Sequence, residues 1–179
     1  MITPQELIQL RAFARQDGAI LGLVWIVSFI CAMQSLNVPL LGIVSNLLAL
    51  STPFLVGYRL GKFRDEALDG TISFRRAFGY CIQTFAYATL LLTITQFVYL
   101  RFIDDFYLGQ VIATYQQLLE STTEMGKDEI TQVMEALNGM TPLAWVSGFM
   151  ITDILVGFFL SPFIAFFCHV RSRKNALQS

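Results

Sequence analysis

The chain has 179 residues, 55% of them hydrophobic and only 14% charged, with a formal net charge of −1 and a mean hydropathy of +0.58. Soluble domains carry about a quarter charged residues, so this composition excludes a soluble globular fold and leaves a polytopic membrane protein. It also excludes a nucleic-acid footprint, because the basic residues lie where membrane topology alone requires them.

Residues 1–17 read as a short amphipathic helix on the cytoplasmic face. Thr3 is placed to cap it, Pro4 suits its first turn and Glu6 completes a capping box. Leu7, Leu10, Phe13 and Ala14 would lie against the membrane surface. A cleaved signal peptide is the competing reading, but "SFICAMQSLN" offers no good small-residue cleavage site.

From Gly18 to Tyr58 there is no Asp, Glu, Lys or Arg. A span needs about 20 helical residues, so this run holds two, predicted over residues 18–36 and 40–61. "QSLNVP" supplies the break between them. The connection "YRLGKFRDEALDGTISFRRAFGY" follows, with an Asp69-Gly70 turn and Ser73 as N-cap of the third span. Phe63, Phe74, Phe78 and Tyr80 alternate there with arginines, the composition of an interfacial belt. It reads as a re-entry elbow for the third span, or as a lipid-headgroup site. The third and fourth spans are predicted over residues 76–101 and 142–170.

Between them, residues 104–139 form a helical hairpin. Leu108, Val111, Ile112, Tyr115, Leu118 and Leu119 recur at helical spacing, as do Ile130, Val133, Met134 and Leu137. Gly126 is expected to stop the first arm, and Asn138-Gly139 the second. The stripes either pack on each other and the membrane surface or dock a partner. Val111, Tyr115, Leu118, Ile130, Val133 and Leu137 are the candidate partner surface. Asp104, Asp105, Glu120, Glu124, Asp128, Glu129 and Glu135 give this segment an acidic, solvated face without calcium-loop spacing.

Of the 12 basic residues, only Arg101 and Lys127 lie on the hairpin side. The positive-inside rule therefore puts both termini, the loop at 59–76 and the tail at 171–179 in the cytoplasm, and the hairpin outside.

"GKFRD" after the second span, "ISFRRAF" into the third, "YLRFIDDF" at its end and "MTPLAW" opening the fourth stand in this order. In this the chain resembles a bacterial family, domain of unknown function 4199, over nearly its whole length. The resemblance implies a four-span protein of the bacterial cytoplasmic membrane with a helical insertion between spans three and four. It brings no catalytic residues. Family members carry Pro after the "ID" of the third motif, where this chain has Asp105.

Asp153 is the one charged residue between Leu143 and Val170. Counted from Pro142 it lies about 15 Å into the span, and intramembrane carboxylates are rare and usually functional. Ser28, Ser51, Thr52, Thr89 and Thr93 fall at similar depth; Ser28, Thr89 and Thr93 complete the candidate intramembrane polar site. Three readings stand: a tether to a hydroxyl on a neighbouring helix, worth about 0.6–2 kcal/mol, a proton- or cation-coupling site, or a contact with a partner's buried base. Pro53 and Pro162 could break spans two and four, as in transporters, though prolines are ordinary in membrane helices. Gly18/Gly22, Gly57/Gly61 and Gly157/Ser161 are small-xxx-small pairs that permit close helix approach, within the bundle or between copies.

No enzyme is expected. The single histidine, His169, is adjacent to Cys168 and level with Cys81, too few ligands for a Cys/His metal site. The odd cysteine count argues against a structural disulfide. There is no phosphate-binding loop or Ser/His/acid set, and no cofactor is expected. The first functional reading is a non-catalytic accessory or scaffolding subunit of an envelope complex. The alternative is a small proton- or cation-coupled transporter or channel component using Asp153. The partners implied are the lipid bilayer and a membrane protein, or a second copy of the chain.

Overall fold

The computed structural model describes residues 4–35, 37–103, 107–122 and 126–176. Six helices run through them: α1 (Pro4–Gln34), α2 (Pro39–Ala67), α3 (Phe74–Phe102), α4 (Tyr107–Thr122), α5 (Lys127–Asn138) and α6 (Pro142–Ala176). The described residues contain no strand, so the fold is all-α. Four helices, α1, α2, α3 and α6, are long and apolar enough to cross a membrane. Thr3, Asp104, Asp105 and Glu124, singled out above, lie outside the described residues.

The helix ends follow from local chemistry. Between α1 and α2, the Val38 amide bonds the Gln34 carbonyl at 2.9 Å. Pro39 then opens α2 in the first turn, where its missing N–H costs nothing. Between α2 and α3, Asp69 and Gly70 take φ of 50° and 77°, a reversal that short polar residues and glycine tolerate. Ser73 Oγ accepts from the Arg76 amide at 3.4 Å, the expected cap of α3. Thr141 Oγ1 accepts from the Ala144 amide at 3.2 Å, with Pro142 in the first turn of α6.

Two expectations are corrected. The N-terminal segment is not a separate surface helix, because α1 continues without a break through Gly18. Its stripe does not lie on the membrane surface either: Leu10 and Ala14 are buried in the protein core, and Phe13 lies 5.0 Å from Phe63 of α2. The apolar residues of α2 and α3 at that level offer closer packing than a bilayer surface does. Gly126 does not stop α4 but caps α5, its amide bonded to Glu129 Oε2 at 3.1 Å. A carboxylate three residues ahead makes it an N-terminus.

The chain divides into two units, residues 1–92 with 150–179 and residues 93–149. In the first, α3 is the central element. Ala77, Tyr80, Cys81, Phe85, Ala88 and Leu92 are buried on it at i, i+3, i+4 spacing. A Cβ on Gly18 would lie 2.6 Å from Tyr87 Cβ, and one on Gly157 2.7 Å from Phe85 Cβ. These glycines let α1 and α6 close on α3. In the second unit α4 and α5 lie against each other. Leu100, Met134, Trp145 and Val146 are buried there.

Candidate functional site

Pairing within the first unit follows from two antiparallel registers. Along α1 and α2, Trp25 Nε1 donates to Thr52 Oγ1 at 2.9 Å. Ser28 Oγ donates to the Ser45 carbonyl at 3.0 Å. Extending this register one further step brings Asp17 opposite Arg59, the two charges that bound the long uncharged run. Arg59 forms an ion pair with Asp17 Oδ1, and the Tyr80 hydroxyl of α3 donates to Asp17 Oδ2. Asp17 is 2% exposed. A buried carboxylate needs a partner for each oxygen, and here each has one.

Aromatic rings extend from Tyr80. Phe63 stacks on Tyr80 at 5.1 Å and 9°, and Phe13 lies 5.0 Å from Phe63 at 46°. Arg76 lies over the Phe63 ring at 5.8 Å and donates to Glu6 at 3.1 Å and Gln9 at 3.0 Å. Arg64, also buried, donates to both oxygens of Asp65, at 2.7 and 3.0 Å. His169 Nδ1 lies 2.9 Å from the Ile72 carbonyl. These contacts bind α1, α2, α3 and α6 together at the end of the unit where charged residues begin.

The second register sets α6 against α3. His169 meets Ile72 and Gly157 meets Phe85, so α6 runs back along α3. One turn beyond Gly157 and Phe85, the same register sets Asp153 level with Thr89. Asp153 Oδ2 and Thr89 Oγ1 are both buried without a hydrogen-bond partner. Asp153 and Thr89 are thus brought to one level, without a bond between them.

Ser28, in contrast, is withdrawn from the candidate set by its bonds to Ser45, including an Oγ–Oγ contact of 3.2 Å. Thr93 belongs to the other unit, its Oγ1 also buried without a partner. Thr52 serves Trp25, and Ser51 Oγ returns to the Leu48 carbonyl at 2.7 Å. On the hairpin, Val111, Ile130, Val133 and Leu137 are half-buried, while Tyr115 and Leu118 remain exposed at 47% and 55%. The candidate partner surface is therefore split. From the sequence Arg59 stands only as a cytoplasmic charge and Tyr80 only as part of an interfacial belt, and Asp17 is not singled out there as their partner. The available signal was the symmetric placement of the two charges about the Asn37–Pro39 turn.

A groove of about 400 Å³ opens between α2 and α6, lined by residues that include Gly57, Gly61, Ile164 and Arg64. Among the described residues no group of three His, Cys, Asp or Glu gathers as a metal site.

Four helices of membrane-crossing length and apolarity define a multi-pass membrane protein; ion pairs tie α1 to α2 and to α3 at one end. A family model described as "Protein of unknown function (DUF4199)" matches residues 16–169, and the chain belongs to that family. No curated protein and no solved structure matches it.

Proposed function

We propose that the protein is a non-catalytic accessory or scaffolding subunit of an envelope complex in the bacterial cytoplasmic membrane. The observation that carries this is the contrast between its spans. The most apolar window of α3 is 44% covered by the protein, that of α2 only 11%. Leu40, Ile43, Leu47, Leu50, Phe54 and Tyr58 stand exposed along α2, a helix length of apolar surface for lipid or a neighbouring helix. The buried charges of the first unit, meanwhile, are engaged in fixed pairs rather than aimed at a reaction centre.

In this reading both termini and the 59–76 connection are cytoplasmic, and the α4–α5 hairpin lies outside. The distribution of lysine and arginine supports that orientation. Tyr115 and Leu118 are the exposed part of the hairpin's apolar stripe and are the residues offered to a partner.

A second reading rests on Asp153. A carboxyl oxygen buried without a partner, level with an equally unpartnered Thr89 hydroxyl, is where a small transporter component would hold a proton or cation.

The test is purification from the native membrane in mild detergent. The accessory reading expects a stoichiometric protein partner that is lost on Leu118→Glu and retained on Asp153→Asn. A partner-free homo-oligomer whose proton or cation flux is abolished by Asp153→Asn would replace it with the transport reading. Charging Val133 is a poorer probe, because that side chain is half-buried in the hairpin itself.

A further inference from the structure

Of the three small-xxx-small pairs, two close helix contacts and one does not. A Cβ on Gly57 would find only Ile164 Cγ2, at 3.8 Å, and one on Gly61 would find nothing within 4 Å. Gly57 and Gly61 instead hold open the groove between α2 and α6. α2 and α6 run parallel here, since Gly57 faces Ile164 and Arg64 reaches Cys168. The groove follows α2 from Pro53 to Arg64, about 16 Å at the helical rise. Its volume of about 400 Å³ falls among pockets that take small ligands, roughly 300–1,000 Å³.

The groove's chemistry is polarised. Phe54, Phe163 and Phe167 rim it, each more than half exposed, and Leu160 and Ile164 add aliphatic wall. One charged group lines it, the Arg64 guanidinium at the end where α6 continues toward Arg171, Arg173 and Lys174. Arg64 Nη1 makes only long contacts on α6, 3.5 Å to the Cys168 carbonyl and 3.9 Å to its sulfur. Nε and Nη2 are held by Asp65, a side chain 55% exposed against 5% for Arg64. The cation is thus buried in the protein, while the side chain of its counter-ion is more than half exposed. An apolar slot ending in a fixed cation has the polarity of one leaflet lipid, tail toward the bilayer centre and anionic head at the interface.

We propose that this groove binds an anionic glycerophospholipid, with one acyl chain along Gly57 and Gly61 and the phosphate on Arg64 in place of Asp65. In a bilayer any acyl chain fills an apolar slot, so selectivity resides in the head. A phosphate matches the guanidinium fork, whereas a zwitterionic head brings its own cation to the same place.

The experiment titrates the full-length, delipidated protein in detergent with phosphatidylglycerol or phosphatidylcholine of identical chains, read by native mass spectrometry. The first phosphatidylglycerol is expected to bind about fivefold more tightly, the ratio of one basic residue near a headgroup. Arg64→Gln should bring the ratio to about one, and Asp65→Asn should raise it by freeing the guanidinium. Gly61→Leu, whose Cβ would meet nothing within 4 Å, should abolish the first binding event with the melting temperature kept or raised. Equal affinity for the two lipids in the wild type, or unchanged first binding in Gly61→Leu, would overturn the proposal. Displacement of the bound lipid by inorganic phosphate alone would overturn its assignment to a lipid.

Discussion

Asp17 shows how one residue can tie three helices. Its two oxygens are taken by Arg59 of α2 and Tyr80 of α3, and it stands on α1 one residue before the glycine that touches α3. Removing one partner of such a pair leaves a charge buried and uncompensated, at a cost of about 3–5 kcal/mol. Replacing both by apolar residues of similar size is about neutral. Asp17→Asn and Arg59→Met should therefore each lower the thermal midpoint in detergent substantially. Asp17→Leu combined with Arg59→Met should recover most of the loss. A double variant as unstable as the sum of the singles would mean that the two residues are not coupled and that each is held by other contacts. Asp153 has no such partners, and the same logic makes Asp153→Asn a mild change in stability.

At the scale of the helix, glycine has two opposite uses in this chain. At Gly18 the Cβ of alanine would meet Tyr87 Cβ at 2.6 Å and the Thr84 carbonyl at 2.8 Å. Backbone cannot give way as a flexible side chain does, so Gly18→Ala should cost about 1–3 kcal/mol by overpacking. At Gly61 the same substitution meets nothing and gains helix propensity, about 0.5–1 kcal/mol. Melting curves of the two single variants should move in opposite directions. Equal shifts would mean that α1 and α3 are not in close contact. The sequence marks both glycines identically, as members of small-xxx-small pairs. Only their neighbours in space separate a packing contact from an open groove.

Over the whole molecule, charge placement carries the orientation. Thr71 lies exposed in the connection between α2 and α3, and Ser121 lies exposed on α4. With Cys31, Cys81 and Cys168 replaced, a membrane-impermeant maleimide should label Ser121→Cys in intact cells. It should label Thr71→Cys only after permeabilisation. The reverse pattern would invert the proposed topology and move the hairpin into the cytoplasm.

What the amino-acid sequence determined by itself was the class and the framework. Uncharged runs of span length, turn residues at Asn37–Pro39 and Asp69-Gly70, and the cap at Ser73 are local properties, read from composition and spacing. Periodicity likewise marked the hairpin arms, whose stripes must be covered by something. The tertiary structure decided which polar groups meet. Ser28 and Asp153 lie at similar depth in the sequence, yet one is spent on Ser45 and the other stays unpaired. Depth is a function of position along one helix, whereas a hydrogen bond depends on the rotation and register of two. For the same reason Arg59 read as a topological charge on its own helix and became half of a buried ion pair only when α1 folded back along α2.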